Sequence, residues 1–314
     1  MVDLICSSDG DVPIFLRTGS GNESDQKVFP EILKQFRSQA DFDSLMVADS
    51  ALYTAENLQQ MQNLRWLTRV PFRLKGAQTL ARQIKASEMI PSVLSGYCYS
   101  IHQRTYGGIE QRWLVVESEP RKESEQKRIE KQIGKDRLEA EKQLRELSRQ
   151  TFACVPDAIK AVKKLEKKLK YHQLVQVETS QKKDNGSEQG GVKIRAKLEK
   201  NSAEIQEEKQ LAGRFVLATN VLDEAELSPD KMLIEYKEQQ STERGMRFLK
   251  DPMFLADSVF LKSPERIQAL ALIMGLCLLI YNLGQRELRS ALKRQGDTVK
   301  NQLGQATHPP TLRW

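Results

Sequence analysis

Tyr236, Glu243 and Lys250 follow one another at intervals of seven. Seven residues make two turns of α-helix to within about 20°, so on a helix the three side chains share a face. Gln239 and Arg247, four residues to either side of Glu243, join the same stripe. A single acid flanked by an aromatic hydroxyl and cations suits a metal ion held beside a phosphate backbone. On a plain exposed helix the same residues would simply be solvated. A second acid, Asp49, ends the short apolar run Ser44–Ala48, and in open α/β sheets chemistry collects at the carboxyl ends of strands.

Other chemistries lack their residues. His102, His172 and His308 have no acid or cysteine partners at metal-ligand spacing, and Cys6, Cys98, Cys154 and Cys277 form no CxxC pair. Zinc sites, histidine triads and a disulfide framework are therefore not expected, and carboxylates must do any catalysis. Cys277 sits in Ala269–Tyr281, thirteen residues without a charge. That run falls short of the roughly 20 needed to cross a bilayer, so it reads as a buried core helix with a buried thiol. The opening MVDLICSSDGD has no basic leader before a long apolar stretch, and no secretory signal is expected.

The chain of 314 residues has room for about two compact units, or one core with a large insertion. Val2–Cys6 and Pro13–Arg17 read as a β-hairpin in which Asp9-Gly10 supplies the positive backbone angles of the turn. Val28, Ile32, Leu33 and Phe36 recur at helical spacing. Ser44–Ala48, a helix from about Thr54 to Gln62, and Trp66–Val70 alternate as β-α-β, which implies a parallel pair with a crossover. Trp66 and Trp113 read as core. Trp113–Val116, Leu174–Glu178, Val192–Leu198 and Arg214–Ala218 read as further strands, with a polar loop at Lys182–Gly191. Helices are expected at Glu119–Gln150, Pro156–Lys170 and Met232–Lys250, and from Ser263-Pro264 onward; the polar tail after Arg294 reads as loose.

Lys and Arg number 49 against 42 Asp and Glu, for a net charge of +7. The excess is local: Arg65–Lys170 holds 24 basic and 13 acidic residues, while the remainder holds 25 against 29. Much of it lies on one face of Pro156–Lys170, at Lys160, Lys163, Lys164, Lys167, Lys168 and Lys170. Such a face is either solvated or offered to a polyanion.

Taken together, these residues resemble the DDE transposases of bacterial insertion sequences, in the branch marked by a Tyr-(2)-Arg-(3)-Glu-(6)-Lys signature. That signature reads YKEQQSTERGMRFLK here, from Tyr236 to Lys250, with Gln239 in place of the arginine. The GNESD loop (Gly21–Asp25), LMVADSALYTAENL (Leu45–Leu58), FLKDPMF and LKSPERIQAL are similar to that family too, so the likeness covers roughly residues 1–295. The resemblance implies an α/β, RNase H-like core with a helical and β-rich insertion and a C-terminal helical segment. The corresponding parts are 1–112 and 221–295 for the core, 113–220 for the insertion and 296–314 for the tail. It implies Asp49 and Glu243 as catalytic carboxylates and metal ligands, with Tyr236, Gln239, Arg247 and Lys250 on DNA. Paired Mg²⁺ ions, double-stranded DNA at transposon ends and target, a homodimer, a cytoplasmic location and no membrane complete the implication. Asp25 is expected to cap a helix rather than bind metal.

The family's first catalytic Asp lies on a strand upstream of the hairpin and has no match here, since Asp3, Asp9 and Asp11 belong to the hairpin itself. The chain thus reads as the C-terminal part of a transposase, short of its first strand, with two unpaired sheet edges and impaired metal binding. A catalytically inactive DNA-binding fragment is the alternative. A membrane-associated helical protein built on Ala269–Tyr281 is a third reading.

Overall fold

The computed structural model describes residues 2–20, 22–23, 25–39, 44–182, 191–239, 263–301, 304–307 and 310. They form a mixed α/β fold, divided into two compact units: residues 1–72, 101–114 and 216–314, and residues 73–100 and 115–215.

In the first unit β1 (Val2–Cys6) and β2 (Pro13–Thr18) form the antiparallel hairpin, with Leu4 opposite Leu16. The positive φ angles fall on Gly10 (82°) and Asp11 (59°), one residue later than the Asp9-Gly10 pair suggested. Helix α1 (Asp25–Gln39) buries Val28, Ile32, Leu33 and Phe36 as its period requires, and Phe36 meets Phe15 of β2 edge-on at 6.1 Å. Then follow β3 (Met46–Ala48), α2 (Ala55–Gln60) and β4 (Trp66–Val70). The Thr54 hydroxyl accepts from the Asn57 N–H at 3.2 Å and caps α2. Strands β3 and β4 are parallel, with Ala48 opposite Thr68, as the β-α-β alternation requires.

β3 is the edge of a six-stranded sheet. Its order is β3-β4-β10-β7-β6-β5, where β5 is Ile90–Pro91, β6 Tyr97–Tyr106, β7 Ile109–Ser118 and β10 Arg214–Thr219. All six residues of β10 are buried, and Val216 lies opposite Val70 of β4 in antiparallel register. The hairpin is a separate two-stranded sheet. Among the described residues, therefore, the hairpin and β3 each have a strand edge without a partner strand.

Helix α7 (Pro229–Glu238) and helix α8 (Pro264–Gln295) complete the unit, with a short ladder of β11 (Val299–Lys300) and β12 (Ala306–Thr307) after α8. The expectation that Ala269–Tyr281 is buried is not met. One face of α8, with Met274 and Leu278, covers Val2, Leu4 and Leu16 of the hairpin. Gly275 permits that approach, because a Cβ there would stand 2.7 Å from a Leu16 methyl. On the other side Leu272, Ile273, Leu276 and Ile280 are at least half exposed, and Cys277 is exposed as well. A two-stranded hairpin can cover only one side of a helix that is apolar all round, and composition does not tell the two sides apart. By length and composition alone α8 is sufficient to cross a membrane.

The second unit contains α3 (Lys75–Gln83), α4 (Glu119–Arg149), α5 (Val155–Glu166), α6 (Ser202–Leu211) and the antiparallel ribbon β8 (His172–Lys182) with β9 (Gly191–Lys200). Residues 183–190, which include most of the expected polar loop, lie outside the described residues. Leu147 of α4 and Ala158, Val162 and Leu165 of α5 pack on Leu174, Val192 and Ile194 of the ribbon. The buried His172 ring nitrogen Nδ1 lies 2.8 Å from Asp136, a structural partner for a histidine that no metal chemistry claimed.

A buried polar knot ties the rest of this unit together. The Arg214 guanidinium donates to Glu117 at 2.8 Å and to the carbonyls of Ala81 and Ile84 at 2.6 and 2.8 Å, while Lys122 donates to Glu117 at 2.6 Å. Burial by itself would raise the Glu117 carboxyl; the hydrogen bonds from Lys122 and Arg214 outweigh it and hold it below the usual carboxylate range. Arg214→Met leaves a buried carboxylate and two carbonyls short of a partner, and should destabilise by about 3–5 kcal/mol in urea unfolding at pH 7. Because the folded-state pKa of Glu117 is depressed, its contribution is full above the ordinary glutamate range and is lost as pH falls through the lowered value. The gap between wild type and variant should therefore shrink in strong acid; equal stabilities at pH 7 would contradict the assignment.

Candidate active site

Asp49 is the first residue past β3 and is exposed. Two hydrogen bonds fix it. Its Oδ1 accepts from the Ala51 N–H at 2.8 Å, closing a turn of the kind aspartate favours, and its backbone carbonyl accepts from Thr68 Oγ1 at 2.6 Å. Thr68 is fully buried in the neighbouring strand β4. Among the described residues Oδ2 makes no hydrogen bond, so the turn occupies one carboxylate oxygen and leaves the other for a ligand.

The loop beyond Asp49 is clamped from the opposite direction. Tyr53 is 2 % exposed, and its hydroxyl donates to Gln111 Oε1 at 2.7 Å. The same oxygen accepts from Trp113 Nε1 at 3.0 Å, and Gln111 Nε2 donates to the Tyr106 carbonyl at 3.2 Å. The Tyr53 ring stacks on Tyr106 with centroids 5.0 Å apart and meets Trp113 edge-on. Burial pushes the Tyr53 hydroxyl far above the ordinary tyrosine range, so it stays a donor. Trp66 and Trp113 are buried, as expected. The Tyr53–Gln111 clamp was not foreseeable from spacing, because its partners stand 58 residues apart.

Helix α7 starts the Tyr236–Lys250 segment. Ser228 caps it, its hydroxyl accepting from the Lys231 N–H at 3.2 Å, and Pro229 takes the first turn, where a missing N–H costs nothing. Met232 and Leu233 are fully buried, and the helix packs against β3 and β4. Tyr236 and Gln239 sit half-buried near its C-terminal end. Glu243, Arg247 and Lys250 fall in 240–262, outside the described residues. What the fold brings together is thus the strand that ends in Asp49 and helix α7, which ends at Glu238 rather than running on as the Met232–Lys250 expectation had it.

Two other acids of this unit, both in the hairpin, are held in ion pairs. Asp9 pairs with Arg286, whose Nε lies 2.8 Å away, and Asp3 pairs with Arg17 at 3.5 Å. The Asp11 carbonyl accepts from Asn282 at 2.6 Å. The Glu238 carboxyl is raised by burial and then by the charges of Glu235 and Asp11. Asp25 opens α1, and its side chain is outside the description. Among the described residues no group of three or more His, Cys, Asp or Glu could hold a metal ion.

A family profile described as the transposase DDE domain matches residues 2–283. No curated protein and no solved structure matches the chain.

Thr68→Val tests the anchoring of Asp49. The substitution keeps volume but removes the hydroxyl that holds the Asp49 carbonyl, and should cost about 1 kcal/mol in urea unfolding with the denaturant slope unchanged. A variant as stable as wild type would show that the bond contributes nothing to holding the strand end.

Proposed function

The chain belongs to the transposase DDE domain family, and from that premise we propose that it acts in metal-dependent DNA strand cleavage and strand transfer at transposon ends. The observation that carries the proposal is the family match over residues 2–283, joined to the packing of α7 on the strand that ends in Asp49. In this reading the first unit is an RNase H-like core and Asp49 and Glu243 are its carboxylates.

Asp49 suits one position of such a metal set, since Oδ2 has no hydrogen-bond partner among the described residues and carboxylate oxygens are hard ligands suited to Mg²⁺. Divalent ions held by Asp49 and Glu243 would supply activation of the attacking water or 3′-hydroxyl and stabilisation of the leaving oxygen in an in-line displacement at phosphorus. Tyr236, Gln239, Arg247 and Lys250 would hold the DNA by its phosphates, giving affinity with little sequence information. Gln239 would do so without the bidentate charge of an arginine.

A third carboxylate would come from a strand that inserts between the hairpin and β3. The unpartnered edges of both support this reading, because a two-stranded hairpin is marginal by itself and an open edge is a template for another strand. Action as a homodimer in the cytoplasm belongs to the same proposal.

A second reading, a DNA-binding protein without chemistry, is favoured by the turn that already engages Asp49 Oδ1. Nicking of a supercoiled plasmid separates the two. The transposase reading expects slow nicking that requires Mg²⁺ or Mn²⁺ and is lost in both Asp49→Ala and Glu243→Ala, with DNA binding retained. Binding without nicking under any divalent ion would leave the non-catalytic reading.

A further inference from the structure

Two helices of the second unit, α4 and α5, carry many of its lysines and arginines. Along α4 three arginines pair within the helix, Arg121 on Glu125 at 2.8 Å, Arg137 on Glu141 at 2.9 Å and Arg145 on Glu141 at 3.6 Å, while Lys127, Arg128, Lys131, Lys135, Lys142 and Arg149 form no ion pair among the described residues. Along α5, Lys160, Lys163, Lys164 and Lys167 are all exposed, and among the described residues none of them forms an ion pair. Their spacing makes a quadrilateral on one face: 160 with 164 and 163 with 167 are four apart, and 160 with 163 and 164 with 167 are three apart.

Each of those contacts sets like charges side by side, which destabilises a helix. The macrodipole offsets this at the C-terminal end, at Lys163, Lys164 and the capping Lys167, and gives Lys160 nothing. The opposite face of α5, with Ala158, Val162 and Leu165, is committed to the core of the unit. The lysine face therefore cannot turn inward. Of the acids on α5, Asp157 stands three residues before Lys160 and accepts from the Cys154 thiol at 3.3 Å, and Glu166 stands three residues after Lys163; among the described residues neither forms an ion pair with these lysines.

We propose that the Lys160, Lys163, Lys164 and Lys167 face of α5 is a sequence-independent binding surface for the phosphate backbone of duplex DNA. Residues 160 to 167 rise about 10 Å along the helix. Phosphates of one DNA strand advance about 3.4 Å along the duplex axis, so the face meets about three of them. Lysine suits this task, since a flexible ammonium tracks a point charge and asks for no bidentate geometry. The proposal rests on the reading that DNA is the partner, and adds a second place of contact, away from the Tyr236–Lys250 segment in sequence.

The experiment is fluorescence anisotropy of the full chain on a labelled 30-base-pair duplex of arbitrary sequence, without divalent metal, from 50 to 250 mM KCl. For K160Q/K163Q/K164Q/K167Q the plot of log affinity against log salt should lose about 3 units of slope, and affinity at 100 mM should fall on the order of 100-fold. The corresponding Lys→Arg variant should keep the wild-type slope. If the fourfold variant does not fold, K160Q and K164Q singly should each lower the slope by about 0.9. Wild-type binding with an unchanged slope in the glutamine variants overturns this surface and leaves the DNA reading standing. Failure of the wild type to bind duplex overturns both, and so does binding through these lysines to phosphatidylserine vesicles with none to DNA.

Discussion

The strand Met46–Ala48 is three residues long and is paired along one side, with β4. So short a strand does not hold its own place. Parallel pairing with Trp66–Thr68, the Met46 N–H on the Arg65 carbonyl at 2.8 Å and the Thr68 hydroxyl on the Asp49 carbonyl set its height in the sheet. Buried Met232 and Leu233 of α7 set its depth from above. The Tyr53 clamp then fixes the chain as it leaves. Asp49 is thus positioned by its neighbours, and among the described residues no strand pairs with the side of β3 away from β4. Backbone N–H and C=O groups call for a partner, and among the described residues both β3 and the hairpin have a strand edge that offers them.

Much of this was legible because the short strands and helices announce themselves locally. The β3 run is uninterrupted and apolar, Trp66–Val70 follows a helix that Thr54 opens, Ser263 before Pro264 is a good cap, and Val28 to Phe36 keep a helical period. What was missed depends on distant partners. Tyr97–Tyr106 mixes Cys, Ser, His, Gln and Arg among its apolar residues, and pairing between β7 and the short edge strand β5 is what makes it a strand. Gln111 is a polar residue in a core strand, and only the Tyr53 and Trp113 donors explain it. Helix α8 misled for the reverse reason: its apolar sequence was clear, and which side would be covered was not. Of the candidate site, Asp49, Tyr236 and Gln239 are placed, and Glu243, Arg247 and Lys250 fall outside the described residues.

The charge imbalance noted in the sequence acquires a location. Within Arg65–Lys170, Arg121, Lys122, Arg137 and Arg145 are consumed by carboxylates of their own unit, and Lys170 pairs with Glu208 at 2.9 Å. Local pairing of that kind lowers self-repulsion and leaves little field. The lysines of α5 keep theirs. Gathered on the one face of α5 turned away from the core, they present a local positive patch to a polyanion.

The account turns on Asp49 and Glu243 sharing one ion across 194 positions of sequence. With Fe²⁺ in place of Mg²⁺, in the presence of duplex DNA, ascorbate and peroxide generate hydroxyl radicals that cut the polypeptide beside the bound ion. The account predicts cuts at two places, next to Asp49 and next to Glu243, both suppressed by excess Mg²⁺ and both lost in Asp49→Ala. Cutting beside one residue and not the other, or cuts that survive Asp49→Ala, would contradict it.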